Sequence, residues 1–276
     1  MEKETFKARP IYLAPILASL ICGFLCTYIL KASYTQPPQS VPFPDSPLGS
    51  VGNAFYFVIL VGLGATIIFV LLRIRRGKLV SILTGAALTV AFFLLSFVYL
   101  SAMFSLFSVH NFWVATAAST FTTGVACYTI LKTSSGLGNV LIVILGGALG
   151  AFLGVTIPTL SVISILSLLA IYDIYAVYRG AVGKIARYGL EHLRGLVLSF
   201  RDTQVGLGDL AFYSMLLGCM LMNFGLYPCL ASIVGILLGC FLTFKMLEKR
   251  SIFPGLPLPV AFGLFSGFLT LLVRSL

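Results

Sequence analysis

Charged side chains are scarce in this 276-residue chain. Lys, Arg, Asp and Glu together make up 9% of it while 59% is apolar, against roughly a quarter charged and half apolar in soluble domains. That balance excludes a water-soluble fold. Acidic residues are scarcer still, eight against 18 Lys and Arg. Histidine occurs only as His110 and His192, each isolated in a loop or at the end of an apolar stretch. With no His inside such a stretch, a Ser or Cys nucleophile would lack its usual base, so a nucleophile triad has no support. The six cysteines (Cys22, Cys26, Cys127, Cys219, Cys229, Cys240) lie in or beside apolar stretches without the spacing of metal ligands, and read as small buried hydrophobes. No metal and no cofactor is expected.

What the chain has instead is long hydrophobic runs. Nine stretches approach the length that a helix rising ~1.5 Å per residue needs to cross a ~30 Å hydrocarbon core. They run over about 11–30, 55–72, 80–107, 112–131, 139–157, 160–178, 205–223, 226–247 and 256–273. The first is too long for a signal peptide and lacks a clear small-residue cleavage site. An all-α, multi-pass membrane protein is predicted, with residues 1–276 forming one membrane domain.

The net charge of +10 could suggest a nucleic-acid partner, but its distribution argues for topology instead. With the N-terminus inside, 16 of the 18 basic residues fall before stretch 1 or between stretches 2 and 3, 4 and 5, 6 and 7, and 8 and 9; only Lys31 and Arg274 fall on the other side. The positive-inside rule then predicts a cytoplasmic N-terminus and an outside C-terminus. The basic excess serves contact with anionic lipid, and no nucleic acid is expected.

Residues 31–54, with Pro37, Pro38, Pro42, Pro44 and Pro47, form a proline-dense outside connector expected to be extended. Residues 184–201 place Ile185, Tyr188, Leu193, Leu196, Val197 and Phe200 at helical spacing between Lys184, Arg187, Glu191 and Arg194, the pattern of an amphipathic helix at the cytoplasmic interface. Small residues recur every fourth position at Gly146, Gly150 and Gly154, at Ala231, Gly235 and Gly239, and at Gly263 and Gly267, which predicts close helix packing. Tyr12 and Trp113, near stretch ends, suit interfacial anchoring.

Of the eight acids, only Asp173 and Asp209 lie inside apolar stretches, and neither stretch contains a Lys or Arg to neutralise them. An ionisable residue in lipid is costly and by default marks a functional site. Asp173 lies six residues before Arg179 and Asp209 seven after Asp202, so both sit on the order of 10 Å inside the same boundary of two antiparallel helices. Carboxyls ~3 Å apart cannot both ionise and would share one proton, the arrangement that activates water in aspartic proteases. Gly206 and Gly208 clear side chains from the approach to Asp209. At the same inside end, Pro254-Gly255-Leu256-Pro257 either starts a helix or lines a cavity with irregular backbone.

Together, Tyr172-Asp173, Gly206-Leu207-Gly208-Asp209 and Pro254-Gly255-Leu256-Pro257, in that order on the last four of nine spans, resemble the presenilin and signal peptide peptidase family, intramembrane aspartyl proteases marked by YD, GxGD and PALP. The run from Gly206 to Ser214 is especially similar to presenilin, as is the N-in, C-out plan. The resemblance implies a presenilin-like fold with helices 1–5 (about 1–158) as scaffold and helices 6–9 (about 159–276) as the catalytic part. It implies Asp173 and Asp209 as the catalytic pair, residues 254–257 as the loop shaping the site, and single-span, N-out transmembrane peptides as substrates. Two departures stand out: Gly255 replaces the usual alanine, and the short link between the aspartates has no room for a maturation loop, so autocleavage is not expected. The short loops suggest a compact homologue, in the cell membrane if prokaryotic, that works without accessory subunits. Two other readings use the same acids: a prepilin-peptidase-like protease and a proton-coupled transporter or cation leak.

The charge distribution makes one direct prediction. Alkaline phosphatase fused to the C-terminus is expected to be active and a cytoplasmic fluorescent reporter there dark; the reverse pattern would overturn the N-in, C-out plan.

Overall fold

The computed structural model describes residues 7–33, 40–74, 76–108, 111–132, 136–179, 197–200, 203–249 and 253–275. Within them are nine α-helices: α1 Ala14–Ala32, α2 Pro47–Arg73, α3 Gly77–Leu106, α4 Phe112–Lys132, α5 Gly136–Thr156, α6 Thr159–Tyr178, α7 Leu207–Asn223, α8 Leu226–Lys249 and α9 Pro257–Ser275. Each matches one of the nine apolar stretches. Seven are long and apolar enough to cross a membrane. The chain is an integral, multi-pass membrane protein. α4 is rich in Thr and Ser. Several of its hydroxyls are turned back onto its own backbone, Thr116 to the Phe112 carbonyl, Thr120 to Thr116 and Thr129 to Val125, which hides them from an apolar surrounding. α7 falls short in length, its 17 residues rising only ~25 Å.

Three expectations change. The last part of the proline-dense connector is helical: Pro47 opens α2 at a position where its missing N–H costs nothing, and the Ser46 hydroxyl caps the helix by accepting from the Gly49 N–H at 3.0 Å. Residues 34–39 of that connector lie outside the described residues. The end of the expected interfacial helix is instead a strand, β1 (Val197–Phe200), paired antiparallel with β2 (Thr203–Gly206) in the register Val197 with Gly206 through Phe200 with Thr203. Val197, Leu198, Phe200 and Val205 have the branched or aromatic character of strands, and Leu198, Thr203 and Val205 are buried. Residues 184–196, His110 and His192 lie outside the described residues. Tyr12, finally, is not an interfacial anchor. It is buried, edge-on to Phe244 of α8, whereas Trp113 is exposed.

α7 is the central post. Leu210, Met215, Leu216, Leu217, Cys219 and Met220 are all inaccessible or nearly so. It packs on α5, α1 and α8, and the contact with α5 runs along Gly146, Gly150 and Gly154. A Cβ at Gly146 would come within 2.7 Å of the Leu210 Cβ, and one at Gly150 or Gly154 would run into the carbonyl of Ala211 or Met215. The expected small-residue faces thus bring backbones together. The same holds between α8 and α9, where a Cβ on Gly239 would meet the Pro259 Cα at 2.5 Å. Lipid offers no hydrophobic drive for this contact, so it rests on van der Waals approach and on a few hydrogen bonds such as Ser232 Oγ to the Gly263 carbonyl, 2.9 Å.

Polar side chains tie α2 to α6. Asn53, fully buried, donates to the Phe43 carbonyl at 3.2 Å and to Ser161 Oγ at 3.0 Å, and accepts from the Phe43 N–H at 3.0 Å. That network seats the connector against the bundle.

Gly150→Ala is expected to destabilise the protein by about 1–3 kcal/mol, the range for overpacking. Gly124→Ala, where nothing lies within 4 Å, should be neutral or slightly stabilising. Melting temperatures in one detergent decide it, and equal melting temperatures for the two variants would refute the α5–α7 contact.

Candidate active site

Three chain ends converge at one end of the bundle: the last turns of α6, the start of α7 and the start of α9. Asp173 sits six residues before the Arg179 that closes α6. Asp209 sits in the first turn of α7, which begins there because Gly206 is extended (φ −72°, ψ 143°) and serves as the N-cap. The Gly206 N–H is directed at the Asp209 carboxylate. α9 begins at Pro257, where a missing N–H is harmless. The preceding Leu256 N–H has no helical acceptor and donates to Asp173 Oδ2 at 3.0 Å; the Gly255 N–H is directed at the same carboxylate.

Both aspartates line one cavity of about 440 Å³. Neither residue is fully buried. Tyr172, Gly206, Gly208, Gly255 and Leu256 also line it, and Ile16, Val61, Leu169, Phe212, Phe244 and Leu247 make most of its wall apolar. The Pro-Gly-Leu-Pro segment lines the cavity and starts a helix, so both readings of it hold, for different residues. The Tyr172 hydroxyl rests against α2 at Gly62, where a Cβ would come within 3.2 Å of it.

Not every residue singled out in the sequence faces the cavity. Leu207 is buried toward α5, its Cδ1 3.4 Å from where a Cβ on Gly146 would lie. Pro254 and Pro257 are not among the lining residues. Gly255 has a specific reason to lack a side chain: a Cβ there would sit 3.0 Å from Asp209 Oδ2 and 3.3 Å from its Cγ. Where the resembled family carries alanine, this chain gives the Asp209 carboxyl that space.

Sequence reasoning missed two features. Tyr213 is buried, and its hydroxyl donates to the Gly255 carbonyl at 2.9 Å. Its position four residues after Asp209, on the same helix face, was the available signal. The second is the β2 edge. Asn139 Nδ2 donates to the Ser199 carbonyl at 2.7 Å, which identifies Ser199 as turned away from β2. Because partners alternate along an antiparallel ladder, its neighbour Gln204 must present its own N–H and C=O on the opposite edge. Gln204 is exposed and lines the cavity, and the sheet has two strands among the described residues.

No protein-family profile and no curated protein matches the chain. Solved structures do. Two crystal forms of a presenilin family intramembrane aspartate protease superpose on it with TM-scores of 0.66 and 0.67, each at 20% identity and over 96% of this chain, and over 97% and 96% of theirs. Nearly end to end, this chain has the fold of a presenilin family intramembrane aspartate protease.

Proposed function

We propose that the protein is an intramembrane aspartyl protease that hydrolyses peptide bonds within transmembrane helices of membrane proteins, with Asp173 and Asp209 as its catalytic pair. The observation that carries this reading is the shared cavity: two aspartates from consecutive helices line one mostly apolar chamber, and the Gly255–Leu256 backbone touches both, its N–H donating to Asp173 and its Cα side against the Asp209 carboxyl. The fold shared with a named protease supports it.

The chemistry needs one proton between the two acids. The ionised carboxyl takes a proton from water as its oxygen attacks the peptide carbonyl, while the protonated carboxyl gives its proton to the carbonyl oxygen. When the tetrahedral intermediate collapses, the C–N bond breaks and the amine leaves with a proton from the acid that had accepted one. The roles interchange through the cycle and belong to the pair.

A helical substrate hides its peptide bonds, so a short stretch must unwind, and its freed N–H and C=O groups need partners in an apolar space. The amide of Leu256 is already held by Asp173, which leaves little at residues 254–257 to pair with. The outward edge of β2 at Gln204 is better placed: it faces the cavity five residues before Asp209 and can take a substrate strand by β-augmentation. The substrate class is single-span helices, N-out if the N-terminus of the protease is cytoplasmic.

Asp173→Ala and Asp209→Ala should each abolish cleavage of a single-span peptide in liposomes, with products read by mass spectrometry. Turnover retained by both variants sinks the assignment. Product termini mapped inside the substrate's transmembrane helix separate this reading from a prepilin-peptidase-like enzyme, which would cut at its edge. Ion flux that survives a transition-state-analogue inhibitor would favour the transporter reading. Gly255→Val, whose branched side chain enters the space of the Asp209 carboxyl, is expected to lower kcat on the order of 100-fold, as misplacement by about 1 Å can.

A further inference from the structure

A single peptide group joins the two helices that carry the aspartates. Its carbonyl, from Gly255, accepts from the Tyr213 hydroxyl of α7 at 2.9 Å; its N–H, from Leu256, donates to Asp173 Oδ2 of α6 at 3.0 Å. The C=O and N–H of a trans peptide point in opposite directions, so one planar group can reach both ways.

The sequence explains why this carbonyl is available. Pro257 opens the helix, so Leu256 is its N-cap and supplies the first carbonyl of the intrahelical ladder, while the Gly255 carbonyl precedes the helix and has no donor in it. The neighbouring Leu256 carbonyl takes its regular partner, the Val260 N–H at 3.1 Å. Gly255 is thus left with an unpaired carbonyl inside the bundle, which is costly unless a side chain donates to it. The Tyr213 hydroxyl, itself buried and in need of a partner, meets that demand.

We infer that Tyr213 is a positioning residue for Asp173, acting through the Gly255–Leu256 peptide. Although Tyr213 lies one turn from Asp209, its effect is delivered to the other aspartate. By fixing the carbonyl it fixes the plane of the amide and so the direction of the N–H on Asp173. Donation to the carbonyl also polarises the amide and strengthens that N–H as a donor. On the Cα side of the same residue lies the Asp209 carboxyl, which the missing side chain of Gly255 admits. One residue thereby sets the relative placement of both acids. The kinetic consequence rests on the proteolytic reading above, whereas the geometry does not.

The test is Tyr213→Phe in the full-length protein, which keeps the ring and removes only the hydroxyl. Expected are a kcat about tenfold lower, the rate equivalent of one hydrogen bond, and a KM within about twofold of wild type. A hydroxyl-bearing peptide that mimics the tetrahedral intermediate should lose affinity by the same factor while an uncleaved peptide does not, a split that loosened packing would not produce. Amide exchange over residues 253–257, followed by mass spectrometry in micelles, should speed up about tenfold in Y213F and also in D173A. Wild-type kcat and inhibitor affinity in an active Y213F, or unchanged exchange there, overturns the assignment. If the wild type cleaves no peptide, the proteolytic reading fails by itself, and exchange over residues 253–257 still decides the role of Tyr213. Should Y213F not fold, 3-fluorotyrosine at position 213 keeps the ring and the hydroxyl as a stronger donor and is expected to slow amide exchange over residues 253–257; unchanged exchange there overturns the proposal.

Discussion

Lipid donates and accepts no hydrogen bonds, and many of the described polar groups of this protein are arranged around that fact. The constraint explains the helices, and it explains the smaller devices as well. Thr and Ser hydroxyls fold back on carbonyls one turn earlier, as Thr27 does on Gly23 and Thr243 on Gly239. Asn53 meets its demand on a loop backbone and on Ser161. Where the backbone leaves helical geometry, at β1–β2 and before α9, three freed groups are met by side chains: Asn139 on Ser199, Asp173 on Leu256, Tyr213 on Gly255. The open edge of β2 at Gln204 faces the cavity.

The same constraint locates the chemistry. α7 is short because the chain enters it as a strand, and that entry puts Asp209 in the first helical turn, beside free backbone N–H groups instead of in mid-helix. The glycines of α5 then bring its backbone onto α7, so the helix that carries Asp209 is gripped along much of its length. A rigid post with one acid at its end, and a neighbouring helix with the other acid near its own, make a pair whose spacing the intervening Gly255–Leu256 peptide can set.

Much of this is legible in the sequence because lipid imposes long apolar runs and makes misplaced charges conspicuous. All nine helices coincide with apolar stretches, and Asp173 and Asp209 stand out as acids with no basic neighbour. The Gly146, Gly150 and Gly154 face is visible as a four-residue period. The strands were not legible: Val197 and Phe200 fit a helical period as well as a strand, and a four-residue strand carries too few alternations to separate the two. The lost interfacial role of Tyr12 has a similar cause. Its position at a helix end suggested the membrane surface, but α8 passes over that end and covers it.

Sequence by itself determined the solvent of this protein, the apolar stretches that its described helices follow, and the two acids, since each follows from local composition judged against a hydrocarbon medium. Only the tertiary structure decided which backbone groups those acids meet. Tyr213 and Gly255 are 42 positions apart, Asp173 and Leu256 are 83 apart, and Asn139 and Ser199 are 60 apart. Such pairings depend on how far one helix is shifted and turned against another. That register is set by the sum of many glycine-spaced contacts along α5, α7, α8 and α9, and no local stretch of residues contains it.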